Sequence, residues 1–291
     1  MNKVSVFGFG NWGKALTKVL CDAGNDVMIY TRQDCQDLER IYPQVSFSND
    51  LSKVVKFSDV GVIASRASDV MGLVAQLKID NLTIKSCIIG SKGFSNDGRL
   101  LSDVVGDIAH EIGVLVGPNF AHEIIDNKLT ISTLGGNIPN VFSGKQFRVE
   151  KCNDIIGLQV CSIMKNIYAI GCGIVVAAFE SENTKAAFLT MAFNELLIAI
   201  ELFGGVHETA YTSGGLGDLV LTCYSINSRN HMFGEIFVRG EVDKSVTVEG
   251  YSSIIRIKDH LRAKLPICNV IYKLLSGQIT IDEFKVDLMQ F

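Results

Sequence analysis

At 291 residues the chain is long enough for two ordinary domains of roughly 100–200 residues each, and 47% hydrophobic with 20% charged content excludes disorder as its main state. Thirty-one acidic against 27 basic residues leave a net charge of −4, which excludes a general electrostatic grip on nucleic acid and favours small-molecule partners. A mean hydropathy of +0.27 raises the question of a membrane span, but a span needs about 20 consecutive apolar residues. The best stretch, 166–179, is closed by Lys165 and Glu180, so it is expected as a buried helix of a soluble core.

The chain opens on a strand-like run, Val4–Phe7, preceded only by Lys3 as a cation, which is no signal-peptide pattern. Further short runs rich in β-branched residues follow at Val27–Tyr30, Val60–Ala64, Cys87–Ile89 and Val114–Val116, with helix-length segments at Lys14–Ala23, Gln33–Tyr42, Ser68–Leu77 and Leu100–Glu111 between them. The strands do not alternate polar and apolar residues, so the rhythm predicts a parallel sheet covered on both faces, finished by strands at Leu129–Leu134 and Phe147–Val149. From about Glu150 helical periodicity takes over, with runs at Ile155–Phe179, Thr184–Phe203 and Met232–Val238 and glycine breaks at Gly204-Gly205 and Gly214-Gly215. The expected fold is a Rossmann-type α/β domain over residues 1–150 and an all-α domain over 151–291. The eight cysteines show no C-x-x-C spacing and sit mostly in apolar segments, as small buried hydrophobes of a reducing, cytoplasmic compartment. The five histidines form no ligand spacing, so no metal is expected, and His110 with Asp107 is read as part of a solvated helix face.

Chemistry begins directly after the first strand. Gly8-Phe9-Gly10-Asn11-Trp12-Gly13 is a G-x-G-x-x-G opening a helix: Gly8 allows the tight turn, Gly10 the approach of a pyrophosphate, and Gly13 close helix–strand packing. At the end of the second strand, where an acidic residue would hold the ribose of NAD, stands Arg32, which favours NADP; Asp34 nearby keeps NAD open, and Arg32 also reads as a plain solvated charge. Lys92 in Ser91-Lys92-Gly93 and the segment Gly117-Pro118-Asn119-Phe120-Ala121 both follow strands, where side chains enter the ligand crevice of a doubly wound sheet. Lys165-Asn166 stands inside the longest apolar helix, where a lysine either finds a partner and suits proton transfer or snorkels to water. Asp218 follows a glycine-rich segment read as a flexible turn. Ser228-Arg229-Asn230 resembles an anion cradle at a helix start or an ordinary cap with a surface arginine, and Thr247-Val248-Glu249-Gly250 reads as a turn.

Taken in order, the segments GFGNWG, SKG, GPNFA, MKN, GLGDLVLTC, SRN and VEG resemble the NAD(P)-dependent glycerol-3-phosphate dehydrogenase family over nearly the whole chain, from Val4 to about Tyr272. The resemblance implies reversible reduction of dihydroxyacetone phosphate to sn-glycerol 3-phosphate, the backbone of glycerophospholipids, with NADP or NAD. It implies Lys165 as general acid/base, Asp218 as its carboxylate partner, and Lys92 in contact with both cofactor and substrate. Gly117 and Asn119 would line the substrate and Ser228, Arg229 and Asn230 its phosphate end. Gly8, Gly10, Asn11, Trp12, Gly13, Arg32, Ala121, Arg229, Thr247 and Glu249 would contact the cofactor, and a homodimer is expected. Departures from the family pattern are Asn119 for the usual Thr or Ser, Thr247 for an aliphatic residue, Met191-Ala192 for Arg-Gly, and trimmed segments between Arg40 and Asp59 and around Gly135–Ser143.

Overall fold

The apolar runs of the first half pair side by side into one eight-stranded sheet in the computed structural model, which describes residues 2–241, 248–257 and 259–291, with backbone only at 259 and 260. The strands are β1 (Lys3–Phe7), β2 (Asp26–Tyr30), β3 (Ser46–Ser48), β4 (Val60–Ile63), β5 (Ile84–Ile89), β6 (Ala109–Val116), β7 (Thr130–Gly135) and β8 (Phe147–Cys152), in the order 3-2-1-4-5-6-7-8. The order changes direction beside β1, and there the register aligns Phe7 with both Tyr30 and Ile63, Ile63 with Ile89, and Ile89 with Val114. Gly8, Thr31, Ala64 and Gly90 therefore leave the sheet along one edge, the carboxyl edge at a topological switch point, where α/β sheets hold ligands.

The sheet is mixed rather than wholly parallel. Strands β1 to β6 run parallel, β7 runs antiparallel to β6, and β8 is parallel to β7. The reversal follows from a short return: between β6 and β7 the chain makes only a five-residue helix and turns at Asn127, whose φ of 58° is left-handed, instead of crossing over.

The helices of this half are α1 (Asn11–Asp22), α2 (Cys35–Ile41), α3 (Leu51–Phe57), α4 (Ala67–Ile79), α5 (Leu101–Val105) and α6 (Ala121–Ile125). Two differ from the sequence expectation. The helix expected over Leu100–Glu111 stops at Val105 before Gly106, and the chain enters β6 at Ala109, so His110 lies exposed on a strand and Asp107 pairs with Lys78 at 3.0 Å. Between Tyr42 and Val60, where no element was expected, Ser46–Ser48 adds an edge strand and Asp50 caps α3 by accepting from Lys53 N–H.

The described second half is helical: α7 (Ile155–Phe179), α8 (Glu182–Leu202), α9 (Asp218–Tyr224), α10 (Arg229–Val238), α11 (Glu249–Arg256), α12 (Asp259–Arg262), α13 (Pro266–Leu275) and α14 (Ile281–Leu288). The chain groups into two compact units, Met1–Ile155 and Ile156–Phe291. Helix α7 is long and apolar enough to cross a membrane, yet 89% of its most apolar window is buried, and every residue from Gly157 to Val175 is covered. Glycines let its neighbours come this close. A Cβ on Gly173 would lie 2.0 Å from the His231 carbonyl oxygen of α10, one on Gly234 2.1 Å from the Ile170 carbonyl oxygen, and one on Gly250 2.3 Å from the Asn166 carbonyl oxygen. The segment 213–217, expected as a flexible turn, is one wide helical turn running straight into α9; Gly215 packs on the backbone of Ala210 and donates its N–H to Thr212 Oγ1.

Candidate functional site

In the first unit the glycine turn is held from within. Gly8 has φ of 111°, and a Cβ there would meet Ser65 N at 2.9 Å, while a Cβ on Gly13 would lie 2.2 Å from the Gly8 carbonyl oxygen. Gly10 is different: nothing lies within 4 Å of where its Cβ would stand, so its backbone faces open space. It caps the twelve-residue α1 without a side chain, and the first turn carries no acidic residue. A helix start with open backbone and no anion of its own fits a pyrophosphate.

Beside this turn the carboxyl edge gathers polar groups. Trp12 Nε1 donates to the Gly90 carbonyl oxygen at 2.8 Å, and Lys92 Nζ sits 5.6 Å from the Trp12 ring. Lys92 Nζ also donates to Asn119 Oδ1 at 2.9 Å, and Asn119 Nδ2 to Ser132 Oγ at 3.3 Å. Gly117 lies buried against Ser132, 2.8 Å from where its Cβ would be. Ser132 was not singled out from sequence, because a serine in an apolar strand carries no signal until its neighbour across the sheet is known. Asn11 is exposed on the open face of the first α1 turn, and Ala121 starts α6, half-buried. Arg32 is exposed and makes no hydrogen bond or ion pair among the described residues. Asp34, the alternative ribose ligand, is engaged as the cap of α2, its Oδ1 accepting from Gln36 N–H at 2.9 Å and Asp37 N–H at 3.4 Å.

In the second unit Lys165 from α7 and Asp218 from α9 form an ion pair with side chains 6% and 2% exposed. The lysine is buried rather than turned out to solvent, and its head is held by the carboxylate. Thr222, one turn on, donates its hydroxyl to the Asp218 carbonyl oxygen at 2.6 Å and stands 3.5 Å from Asp218 Oδ1. The next residue, Asn166, donates Nδ2 to the Ser162 carbonyl oxygen and accepts at Oδ1 from Asn230 Nδ2 at 3.0 Å. Asn230 Oδ1 in turn accepts from Gly250 N–H at 2.9 Å, so this chain of amides joins α7, α10 and the start of α11.

Ser228 caps α10 by accepting from His231 N–H at 3.3 Å, and exposed Arg229 follows as the first helical residue. Burial pushes the Glu249 carboxyl up, against the opposing pull of Arg256 and Arg229, so Arg229 and Glu249 are within electrostatic reach of each other. Thr247 lies outside the described residues. Among the described residues no group of three or more His, Cys, Asp or Glu side chains is arranged to hold a metal ion.

Residues 3–141 match the family described as NAD-dependent glycerol-3-phosphate dehydrogenase N-terminus, and residues 154–285 match the corresponding C-terminus. A protein of Staphylococcus aureus (strain bovine RF122 / ET3-1) named glycerol-3-phosphate dehydrogenase [NAD(P)+] is 29% identical, over 100% of this chain and 98% of that one. A solved glycerol-3-phosphate dehydrogenase from Coxiella burnetii is 26% identical, covers 100% of this chain and 99% of its own, and superposes with a TM-score of 0.87. A ketopantoate reductase from Ralstonia eutropha JMP134, 14% identical with a TM-score of 0.56, shares the fold alone.

Proposed function

The chain belongs to the NAD-dependent glycerol-3-phosphate dehydrogenase family, and we propose that Lys165 and Asp218 perform the proton chemistry of the dihydroxyacetone phosphate/sn-glycerol 3-phosphate interconversion. It is an oxidoreductase using NAD or NADP. The observation that carries the assignment of roles is the buried ion pair: an ammonium fixed by one carboxylate inside an apolar helix is placed to donate a proton to a developing alkoxide and to stabilise its charge.

The two units divide the work in this reading, with most of the cofactor contacts in residues 1–150 and the acid/base and phosphate anchor carried by residues 151–291. The open backbone at Gly10 and the uncapped start of α1 receive the pyrophosphate, Asn11 and Trp12 flank it, and Gly8 and Gly13 set the turn. When bound, NAD(P)H supplies the hydride that reduces the ketone at C2. Arg32, exposed and unpaired, takes the 2′-phosphate of NADP, a reading supported by the commitment of Asp34 to the α2 cap. Ala121 and Glu249 complete the cofactor contacts. Lys92, oriented by Asn119, reaches cofactor and substrate together, and Gly117 with Asn119 lines the substrate.

Arg229 anchors the substrate phosphate, with Ser228 shaping the helix start beside it. Asn230 contributes by bracing: its oxygen is taken by Gly250 N–H and one of its amide hydrogens by Asn166. Binding energy at the phosphate holds C2 in line for transfer.

Lys165→Ala is expected to lower turnover by about 10²–10⁴-fold, the usual share of a positioned acid, while cofactor binding followed by tryptophan fluorescence persists. Retained turnover refutes the role given to Lys165. Preference for a non-phosphorylated 2-keto substrate in a panel of ketones refutes the anchor given to Arg229. A homodimer belongs to the same reading, supported by exposed Ile198, Val206, Tyr211 and Ile226 on the helical unit; sedimentation at the mass of one chain would overturn it. The eight cysteines, none of them in a disulfide, support a reducing, cytoplasmic compartment.

A further inference from the structure

None of the surface of Ser132 on β7 is exposed, so its hydroxyl costs stability there unless it is hydrogen-bonded. The antiparallel return of β7 decides what it meets. Val116 pairs with Thr133, and so Gly117, the first residue past β6, comes to face Ser132 at the carboxyl edge. A Cβ on Gly117 would stand 2.8 Å from both Cα and Oγ of Ser132, so only glycine lets the two segments close here. Two residues further on, Asn119 Nδ2 donates to Ser132 Oγ at 3.3 Å, while Asn119 Oδ1 accepts from Lys92 Nζ at 2.9 Å. Chemistry fixes that division: an ammonium has donors and no acceptor, so the amide turns its oxygen to Lys92 and its NH2 group to the serine. We propose that Ser132 is a positioning residue for Lys92, holding the Asn119 amide in the one orientation that places the ammonium for cofactor and substrate.

The residue at position 119 is what makes the serine necessary. Thr or Ser, the usual residues of the family pattern, carry a single oxygen that both donates and accepts. Asn119 spreads the two functions over two atoms at the end of a longer side chain. A half-turn about its last bond would set the NH2 group against the ammonium, donor against donor. Ser132 Oγ supplies the acceptor that opposes this half-turn. Without it the amide nitrogen is short of a partner in a place where only 7% of Asn119 is exposed, a loss that falls on the amide and on whatever the amide holds.

What the amide holds is the far end of a flexible four-carbon stem. The near end is set by the backbone: Ser91, the residue before Lys92, donates its hydroxyl to the Ser65 carbonyl oxygen at 2.7 Å. Two further contacts of the ammonium are longer than the one to Asn119. Lys92 Nζ stands 3.5 Å from the Gly117 carbonyl oxygen and 5.6 Å from the centre of the Trp12 ring. The ring is itself fixed, since Trp12 Nε1 donates to the Gly90 carbonyl oxygen at 2.8 Å. Ser132 thus acts on the shorter of the two bonds from Lys92 to oxygen, and a change in that bond moves the ammonium relative to a stationary indole.

For its effect on turnover this role rests on the dehydrogenase reading; the position of Lys92 can be measured without substrate. Trp12 is the single tryptophan of the chain, and the charge beside its ring acts on its emission. In the full-length protein Ser132→Ala is expected to shift that emission in the direction in which Lys92→Ala shifts it. It is also expected to lower kcat/KM for dihydroxyacetone phosphate about 2–10-fold, the worth of one buried hydrogen bond. Ser132→Cys keeps the side chain's size and offers only a weak sulfur acceptor, so it should lose as much; unaltered behaviour in this variant would overturn the proposal. In an Asn119→Ala background Ser132→Ala should add nothing to either measurement, because the serine acts through the amide alone. A serine that merely braced β7 would add its own loss there, and that result also overturns the proposal, as does a Ser132→Ala protein with the original emission and kcat/KM. If the unaltered chain reduces no dihydroxyacetone phosphate, the dehydrogenase reading fails, and the emission still decides whether Ser132 places Lys92.

Discussion

Lys165 is buried, with 6% of its side chain exposed, and its partner lies deeper still, at 2%. Removing the lysine alone leaves a buried carboxylate without its counter-charge, a loss of about 3–5 kcal/mol in stability. Lys165→Ala should therefore melt early as well as turn over slowly, and Lys165→Ala with Asp218→Ala should recover much of the stability and none of the turnover. A double variant as unstable as the single one would mean that the pair is not the source of the loss. At the cofactor, Arg32→Ala should weaken NADPH by about 1.5–3 kcal/mol, the value of a charge-assisted contact, and leave NADH nearly unchanged; equal loss for both excludes a 2′-phosphate role. Lys165 and the glycine turn could be read directly from the chain because each breaks a local rule, a charge within an apolar helix and three glycines at a strand end. The bonds of Asn230 could not. Its amide reads as an anion ligand, and nothing in the sequence shows that Gly250 N–H takes its oxygen and Asn166 one of its two amide hydrogens.

Helix α13 begins at Pro266, and its first free N–H groups, from Ile267 and Cys268, are donated to the Glu195 carboxylate of α8. Burial raises that carboxyl to about 7, against the lowering effect of those two N–H groups and of Tyr168. A folded value above the unfolded one means that the group favours folding fully below about 4.5 and loses that contribution as pH rises through about 7. Glu195→Gln should flatten the urea-stability curve across this window by about 3 kcal/mol, and an unchanged slope would remove Glu195 as its source. The α7–α10 crossing gives a second expectation. Gly173→Ala has no room beside the His231 carbonyl, so it should cost at least about 1–3 kcal/mol, whereas Gly10→Ala should spare stability and weaken cofactor binding. Elements with strong periodicity, α1, α7 and α8, were legible in the chain. The misread region over 100–111 carries one apolar pattern that serves α5 and then β6, and only Gly106 marks the change. The reversal at β7 left no local trace, since strand direction depends on how the chain returns to the sheet and not on the strand's own residues.

For the molecule as a whole, two compact units imply that a ligand held by one need not protect the other. Saturating NADPH, at about 100 times its dissociation constant, contributes about 2.7 kcal/mol to what it binds. Hydrogen exchange should slow first in β1, α1 and β4 and less in α8, α13 and α14; uniform slowing would show that the chain opens as one cooperative body. The trimmed segments are compatible with this division: the shortened stretch after Arg40 still forms β3 and α3, and the stretch after Gly135 still returns the chain to β8.

The burial of α7 also has a meaning during synthesis. It is made directly after the sheet is complete; α8, whose Phe188 packs on Gly171, follows at once, but α10 and α11, which also meet it through glycines, follow roughly fifty or more residues later. At the few to twenty residues per second of translation, a 25-residue apolar helix waits some seconds for the rest of its cover. In that interval the nascent chain presents to chaperones and targeting factors the surface that the finished protein conceals, and it is then that its hydropathy matters most.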